Sequence, residues 1–231
     1  MDSILRLKHI SRNNSKRIFL IDNIDNTELT FEQLENEASK IASNLLNLGL
    51  KKGDRIAIIM ENSTSLVKLY FGCLFVGIVI VPINPTISLQ EIDYVINHSN
   101  AKLIVTSEYT IPKINVKFYE SKSIQTLTIS TKNLQEFQTL FWNINDLSLN
   151  DNFEPFFNLS SNDELAIVYT SGTTSEPKAV VHNISSLVEN AHEFGKIVGI
   201  DKNSRFYNML SLTYLGGYYN LLLLPYVCES S

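Results

Sequence analysis

Arg55-Ile-Ala-Ile-Ile-Met60, Ile78-Val-Ile-Val81 and Leu103-Ile-Val105 are three short apolar runs separated by stretches of helical period. Runs this continuous fit strands covered on both faces. The first is entered through the turn Lys51-Lys52-Gly53-Asp54. A helix is expected to start around Asn62 to Thr64 and to end near Gly77. Pro82 and Pro85 stop the second run, and Ser88 with Glu91 forms a capping box ahead of Ile92, Val95 and Ile96. Strands joined by right-handed helical crossovers lie parallel in one sheet with helices on its faces. The expected fold class is therefore α/β, with partly parallel βαβ sheets and helices on both faces.

Upstream, Ile18 to Ile21 reads as a strand. Thr30 caps a helix with Gln33 as its partner, and Phe31, Leu34, Ala38, Ile41, Ala42, Leu45 and Leu48 recur at helical spacing up to Gly49. Downstream, residues 108–160 form a weakly patterned connection. Two short strands are expected there, at Lys117 to Tyr119 and Gln125 to Ile129, followed by a surface connection through Pro155. The pattern sharpens again at Glu164-Leu-Ala-Ile-Val-Tyr169, a strand. A polar loop follows, and then a helix from Asn183 with Leu187, Ala191, Phe194 and Ile197 on one face.

Composition narrows the function. The chain has 231 residues, 44% hydrophobic and 19% charged, which suits a folded core and excludes disorder throughout. Nineteen basic against 24 acidic residues give a net charge of −5, so no broad cationic surface is available for nucleic acid. Cys73 and Cys228 stand apart in apolar runs, which argues against a disulfide scaffold and a zinc site and suits a reducing cytosol. The N-terminal 20 residues are interrupted by Arg6, Lys8, Arg12, Lys16 and Arg17, so no signal peptide is expected. The most apolar stretch, Leu69 to Ile83, is too short for the ~20 residues of a spanning helix. The expected location is cytoplasmic.

The segment that carries chemistry is Tyr169-Thr-Ser-Gly-Thr-Thr-Ser-Glu-Pro-Lys-Ala-Val-Val-His-Asn183. Thr170, Ser171, Thr173 and Thr174 crowd hydroxyls around Gly172, and Lys178 follows. Hydroxyls and backbone N–H groups in a tight turn bind phosphate oxygens, and a lysine adds a point charge. The plainer alternative is a solvated turn. A P-loop is excluded, because Pro177 stands where its second glycine belongs and Ala179 where its hydroxyl residue belongs.

The order of residues resembles the phosphate-binding signature of the acyl-adenylate-forming superfamily, the AMP-dependent synthetases and ligases. These include acyl-CoA synthetases, firefly luciferase and the adenylation domains of peptide synthetases. Thr170 to Ala179 matches that signature except at Ser175 and Ala179, where the family usually has glycine. Leu29-Thr-Phe-Glu-Gln-Leu34, Gly49 with Lys52-Gly-Asp-Arg55, Val81-Pro-Ile-Asn-Pro85 and Ala101-Lys-Leu-Ile-Val105 are similar to its N-terminal landmarks, in order.

The resemblance implies that residues 1–231 are the N-terminal portion of an AMP-binding large domain. It implies ATP, Mg²⁺ and coenzyme A as cofactors or co-substrates. Thr170, Ser171, Gly172, Thr173, Thr174, Ser175 and Lys178 would hold the ATP phosphates, with Lys178 and Thr173 catalytic and Thr170 near Mg²⁺ through those phosphates. Leu210-Ser-Leu-Thr-Tyr-Leu-Gly-Gly-Tyr-Tyr219 resembles the stretch lining the acyl pocket, which assigns Tyr214 to the substrate and lets Gly216 and Gly217 leave room for it; the alternative of an ordinary core or edge aromatic stays open for Tyr214 and is the reading of Tyr218 and Tyr219. The expected reaction joins a carboxylic acid to a thiol through an acyl-AMP. Three alternatives stay open for the acceptor and role: coenzyme A, a carrier protein, or a non-catalytic binding module that keeps the fold. The family's later glutamate, aspartate and lysine motifs are not found in the sequence, so a fragment of a longer enzyme is expected, inactive alone and prone to self-association.

Overall fold

Alternation along the central strands sets the architecture. In β3 (Arg55–Ile59) Ile56 and Ile58 enter one core cluster, while Ala57 and Ile59 enter a second on the opposite side of the sheet. The structure is a computed structural model describing residues 2–13, 16–24, 26–130, 140–144, 146–150, 153–170 and 177–231. In chain order it begins with α1 (Ser3–Asn13), the antiparallel pair β1 (Ile18–Asp22) and β2 (Thr27–Thr30), and α2 (Phe31–Asn47). After β3 come α3 (Thr64–Val76), β4 (Val79–Pro82), α4 (Leu89–Ser99), β5 (Leu103–Ser107), α5 (Val116–Ser121), β6 (Gln125–Ser130) and β7 (Leu140–Asn143). The last part comprises β8 (Glu164–Thr170), β9 (Lys178–Asn183), α6 (Ile184–Val198), a π-helical segment (Gly216–Leu223) and α7 (Leu224–Val227).

Seven strands form one sheet in the order β7-β6-β5-β3-β4-β8-β9. All neighbours are parallel except β8 and β9, which pair antiparallel. The expected α/β fold is present. α2, α3 and α6 cover one face through the first core, and α4 covers the other through Ile92, Val95 and Ile96. Helix ends follow the sequence. Thr30 and Gln33 cap α2 reciprocally, as do Ser88 and Glu91 in α4, and Gly77 closes α3 with φ of 67°.

Four expectations change. Lys117 to Tyr119 lies in a helix, not a strand, because Asn115 accepts the Phe118 N–H at 3.2 Å and starts a turn that buries Tyr119. The connection near Pro155 is not wholly superficial: Phe156 is buried, donates its N–H to Phe75 O at 2.8 Å and packs on the Phe75 ring. The buried stripe of α6 runs through Ile184, Leu187, Val188, Ala191 and Gly195, leaving Phe194 and Ile197 exposed. A side chain at 195 would collide with Cys228 Sγ, 2.2 Å from an added Cβ, so the glycine extends the stripe that 194 and 197 were expected to carry. The polar loop is followed by β9 before the helix begins.

α1 docks on α6 through polar contacts. Ser3 Oγ donates to Glu189 Oε1 at 3.1 Å, and the Arg6 guanidinium donates to His192 Nδ1 at 2.9 Å. Arginine cannot accept, so Nδ1 must be unprotonated. Burial, then the Arg6 charge, holds the His192 pKa below its usual value. The unfolded histidine, with a pKa of about 6.5, therefore takes up its proton first as pH falls. Stability contributed above that pH is lost below it, and burial acts in the same direction at His182. Thermal midpoints are expected to fall as pH drops from about 7 to 5, less steeply for His192→Gln; equal slopes for the two proteins would show that another group controls the loss.

Candidate active site

β8 carries Thr170 to the carboxyl edge of the sheet, and β9 returns from that edge beginning at Lys178. The two residues are register partners, and Thr170 Oγ1 donates to Lys178 O at 3.5 Å. Both are exposed. Ser171, Gly172, Thr173, Thr174 and Ser175 lie outside the described residues. A strand pair thus presents a hydroxyl and an ammonium at the two ends of the loop. Tyr169, the residue before Thr170, is held by His98 Nδ1, 2.8 Å from its hydroxyl, with Tyr94 stacked on His98. Burial pushes the Tyr169 phenol up to about 12, so it stays neutral at physiological pH.

β4 lies beside β8, with Ile80 opposite Ala166. The chain leaving β4 reaches Asn84, whose Nδ2 donates to the Tyr214 hydroxyl at 2.7 Å. Tyr214, Thr170 and Lys178 thus stand at the carboxyl ends of adjacent strands, the edge at which open parallel sheets bind ligands. The backbone under Tyr214 is clamped from α3 and the turn before it. Asn62 donates to Leu210 O and accepts from Leu212 N, both at 2.8 Å, and buried Tyr70 donates to Leu212 O at 3.2 Å. Tyr70 also meets buried Tyr218 edge to face, which confirms Tyr218 as a core aromatic.

The two glycines differ. A Cβ at Gly216 would have open space beyond an ordinary contact with Leu210 at 3.5 Å. At Gly217 it would lie 2.1 Å from Ser211 O, so the room expected there for substrate is filled by backbone of the same chain. Gly217 is required for the close approach that folds the segment back on itself.

Thr170 supplies a hydroxyl and Lys178 a cation at the sheet edge, donor types that suit phosphate oxygens. They do not by themselves build a metal cage: among the described residues no three or more His, Cys, Asp or Glu are grouped to hold a metal ion. No described helix is long and apolar enough to cross a membrane. Asn84, Asn62 and Tyr70 were not assigned to the site by sequence reasoning. Asn84 stands inside the Val81-Pro-Ile-Asn-Pro85 landmark, where the two prolines mark a turn whose asparagine is free to reach outward.

A mostly parallel sheet with helices on both faces, carrying Thr170 and Lys178 at the ends of the β8–β9 connection, is a framework shared by many nucleotide-binding proteins. The AMP-binding enzyme family model matches residues 7–228, and the chain belongs to that family. It is 29% identical over 179 residues to the long-chain-fatty-acid–CoA ligase FadD13 of Mycobacterium tuberculosis, covering 77% of this chain and 34% of that protein. It is 30% identical over 199 residues to the 2-succinylbenzoate–CoA ligase of Bacillus licheniformis, covering 82% and 36%. The anthranilate CoA ligase AuaEII, solved with anthranoyl-AMP, superposes with a TM-score of 0.87 at 22% identity, covering all of this chain and 44% of that one. The chain spans about a third of the length of the curated relatives, corresponding to their N-terminal part.

Proposed function

We propose that these residues belong to a ligase that activates a carboxylic acid with ATP and passes the acyl group to coenzyme A. The observation that carries the reading is the order Thr170 to Lys178 on the β8–β9 hairpin of a chain in the AMP-binding family. Carboxylates are poor electrophiles. Attack of a carboxylate oxygen on the α-phosphorus of ATP breaks the bond to the bridging oxygen, and pyrophosphate leaves with the electron pair. The acyl-AMP carbonyl is then open to a thiol, which displaces AMP and gives up its proton.

Lys178 and the loop hydroxyls of Thr170, Ser171, Thr173, Thr174 and Ser175 would hold the β- and γ-phosphates, with the backbone at Gly172 approaching closely. Their donors would stabilise charge as it gathers on pyrophosphate. Mg²⁺ would enter with the nucleotide, near Thr170, and neutralise phosphate charge when bound. Tyr214 and Gly216 would line the acid's side of the site. The relatives matched are named as coenzyme A ligases, which favours coenzyme A over a carrier protein. A cytoplasmic location and self-association of the 231-residue chain through exposed Ile197 and Met209 belong to the same proposal.

Exchange of labelled pyrophosphate into ATP by the full-length protein tests the reading. Exchange dependent on one or more acids from a panel is expected, followed by thioester formation when coenzyme A is added. Exchange with transfer only to a carrier protein would replace the acceptor, and no exchange with any acid would favour a binding module.

A further inference from the structure

The geometry points to Asn84 as a positioning residue that fixes both the ring and the proton of Tyr214, making that phenol a committed hydrogen-bond donor toward the acid substrate. This rests on the reading of Tyr214 as part of the acid's site. The direction of the Asn84–Tyr214 bond follows from Thr86. Asn84 Oδ1 receives the Thr86 backbone N–H and the Thr86 hydroxyl, each at 2.9 Å. A backbone N–H can only donate, so the atom it meets must be the amide oxygen. The atom facing Tyr214 at 2.7 Å is therefore the amide nitrogen, which can only donate. The phenol oxygen accepts from it, and its single proton is left to point elsewhere.

Tyr214 is 51% exposed at the sheet edge, and among the described residues no acceptor meets that proton. Hydrogen bonds hold the backbone beneath it. Asn62 grips Leu210 and Leu212, the Tyr214 N–H donates to Ser211 O at 3.2 Å, and the Tyr218 N–H to Tyr214 O at 2.9 Å. Asn84 in turn sits in the turn that ends β4, next to the strand that delivers Thr170. Thr170 and Tyr214 are thereby referenced to one pair of adjacent strands. An acceptor oxygen on the acid would meet a hydroxyl whose orientation is already set, which lowers the entropy lost on binding.

The test uses the full-length protein with Asn84→Ala, Asn84→Asp, Tyr214→Phe and the Asn84→Ala/Tyr214→Phe double variant, read by acid-dependent pyrophosphate exchange. One neutral hydrogen bond lost corresponds to roughly a 3- to 10-fold loss. Asn84→Ala and Tyr214→Phe are each expected to show a loss of that size in kcat/KM for the acid, with the KM for ATP unchanged. The double variant should be no worse than Tyr214→Phe. Asn84→Asp is the sharper probe, since a carboxylate accepts only. It would keep the ring in place but draw the phenol proton to itself, and so should fare no better than alanine. Wild-type rates in Asn84→Asp, or single losses that multiply in the double variant, would overturn the assignment while leaving the adenylation reading intact. A wild-type protein silent with every acid would overturn that reading and the assignment together. Melting curves for each variant separate these effects from misfolding.

Discussion

Lys178→Ala in the full-length protein is expected to slow acid-dependent pyrophosphate exchange roughly 10- to 100-fold, since a charge-assisted hydrogen bond to phosphate contributes about 1.5–3 kcal/mol. Lys178 opens the edge strand β9 and is exposed, so removing its side chain should leave the fold unchanged and act on ATP alone. The loss should be greatest at limiting ATP. Thr173→Val removes a donor at nearly constant volume and should weaken exchange as well, though less than loss of the lysine charge. Ser175→Gly restores the residue the resembled signature carries, and its activity should equal or exceed wild type. Wild-type rates for both Lys178→Ala and Thr173→Val would show that the loop does not hold the nucleotide.

The reading of the fold succeeded where local chemistry and the global arrangement agree. Thr30 with Gln33 and Ser88 with Glu91 are self-contained caps, visible within four residues, and the structure contains both. Ile56 to Ile59 is apolar at every position because both sheet faces are covered, which only a two-sided sheet requires. Failures came where a contact distant in sequence decides. Phe156 is buried against the Phe75 ring, and the stripe of α6 runs through Gly195, against which Cys228 packs, leaving Phe194 exposed. Nothing near either residue reports those partners. The candidate site divides in the same way. The loop is legible because phosphate binding needs a contiguous run of donors. Asn84 is legible only as part of a turn, since its partner Tyr214 is 130 residues away in sequence. Gly217 was read by its lack of a side chain, which is correct, but the neighbour that requires it is the backbone of Ser211.

Tyr226→Ala is expected to reduce stability by about 3–5 kcal/mol, as for other large aromatic truncations in cores. Tyr226 in α7 is 2% exposed and gathers three rings: Phe71 of α3 at 4.5 Å, Phe19 of β1 at 5.5 Å and Phe31 of α2 at 5.6 Å between centroids. One side chain of α7 therefore joins the first hairpin to helices α2 and α3. Aromatic pairs add about 0.5–1.5 kcal/mol beyond buried area, and the Phe71 and Phe19 contacts are tilted or edge to face, as such pairs prefer. For a chain of this size the loss should appear as a thermal midpoint lower by about 6–20 °C. Tyr226→Phe keeps the ring and should lose only the hydroxyl's contribution, about 1 kcal/mol. Comparable losses in the two variants would place the stabilisation in the hydroxyl rather than in ring packing. The site should respond too, because α7 continues directly from the π-helical segment that begins two residues after Tyr214. Freed from the aromatic cluster, that segment would rely on the Asn62 and Tyr70 bonds to Leu210 and Leu212, its own backbone bonds and the Asn84 bond to Tyr214. In the full-length protein, the KM for the acid should therefore rise in Tyr226→Ala at temperatures where the protein is still folded, while Tyr226→Phe keeps the wild-type value.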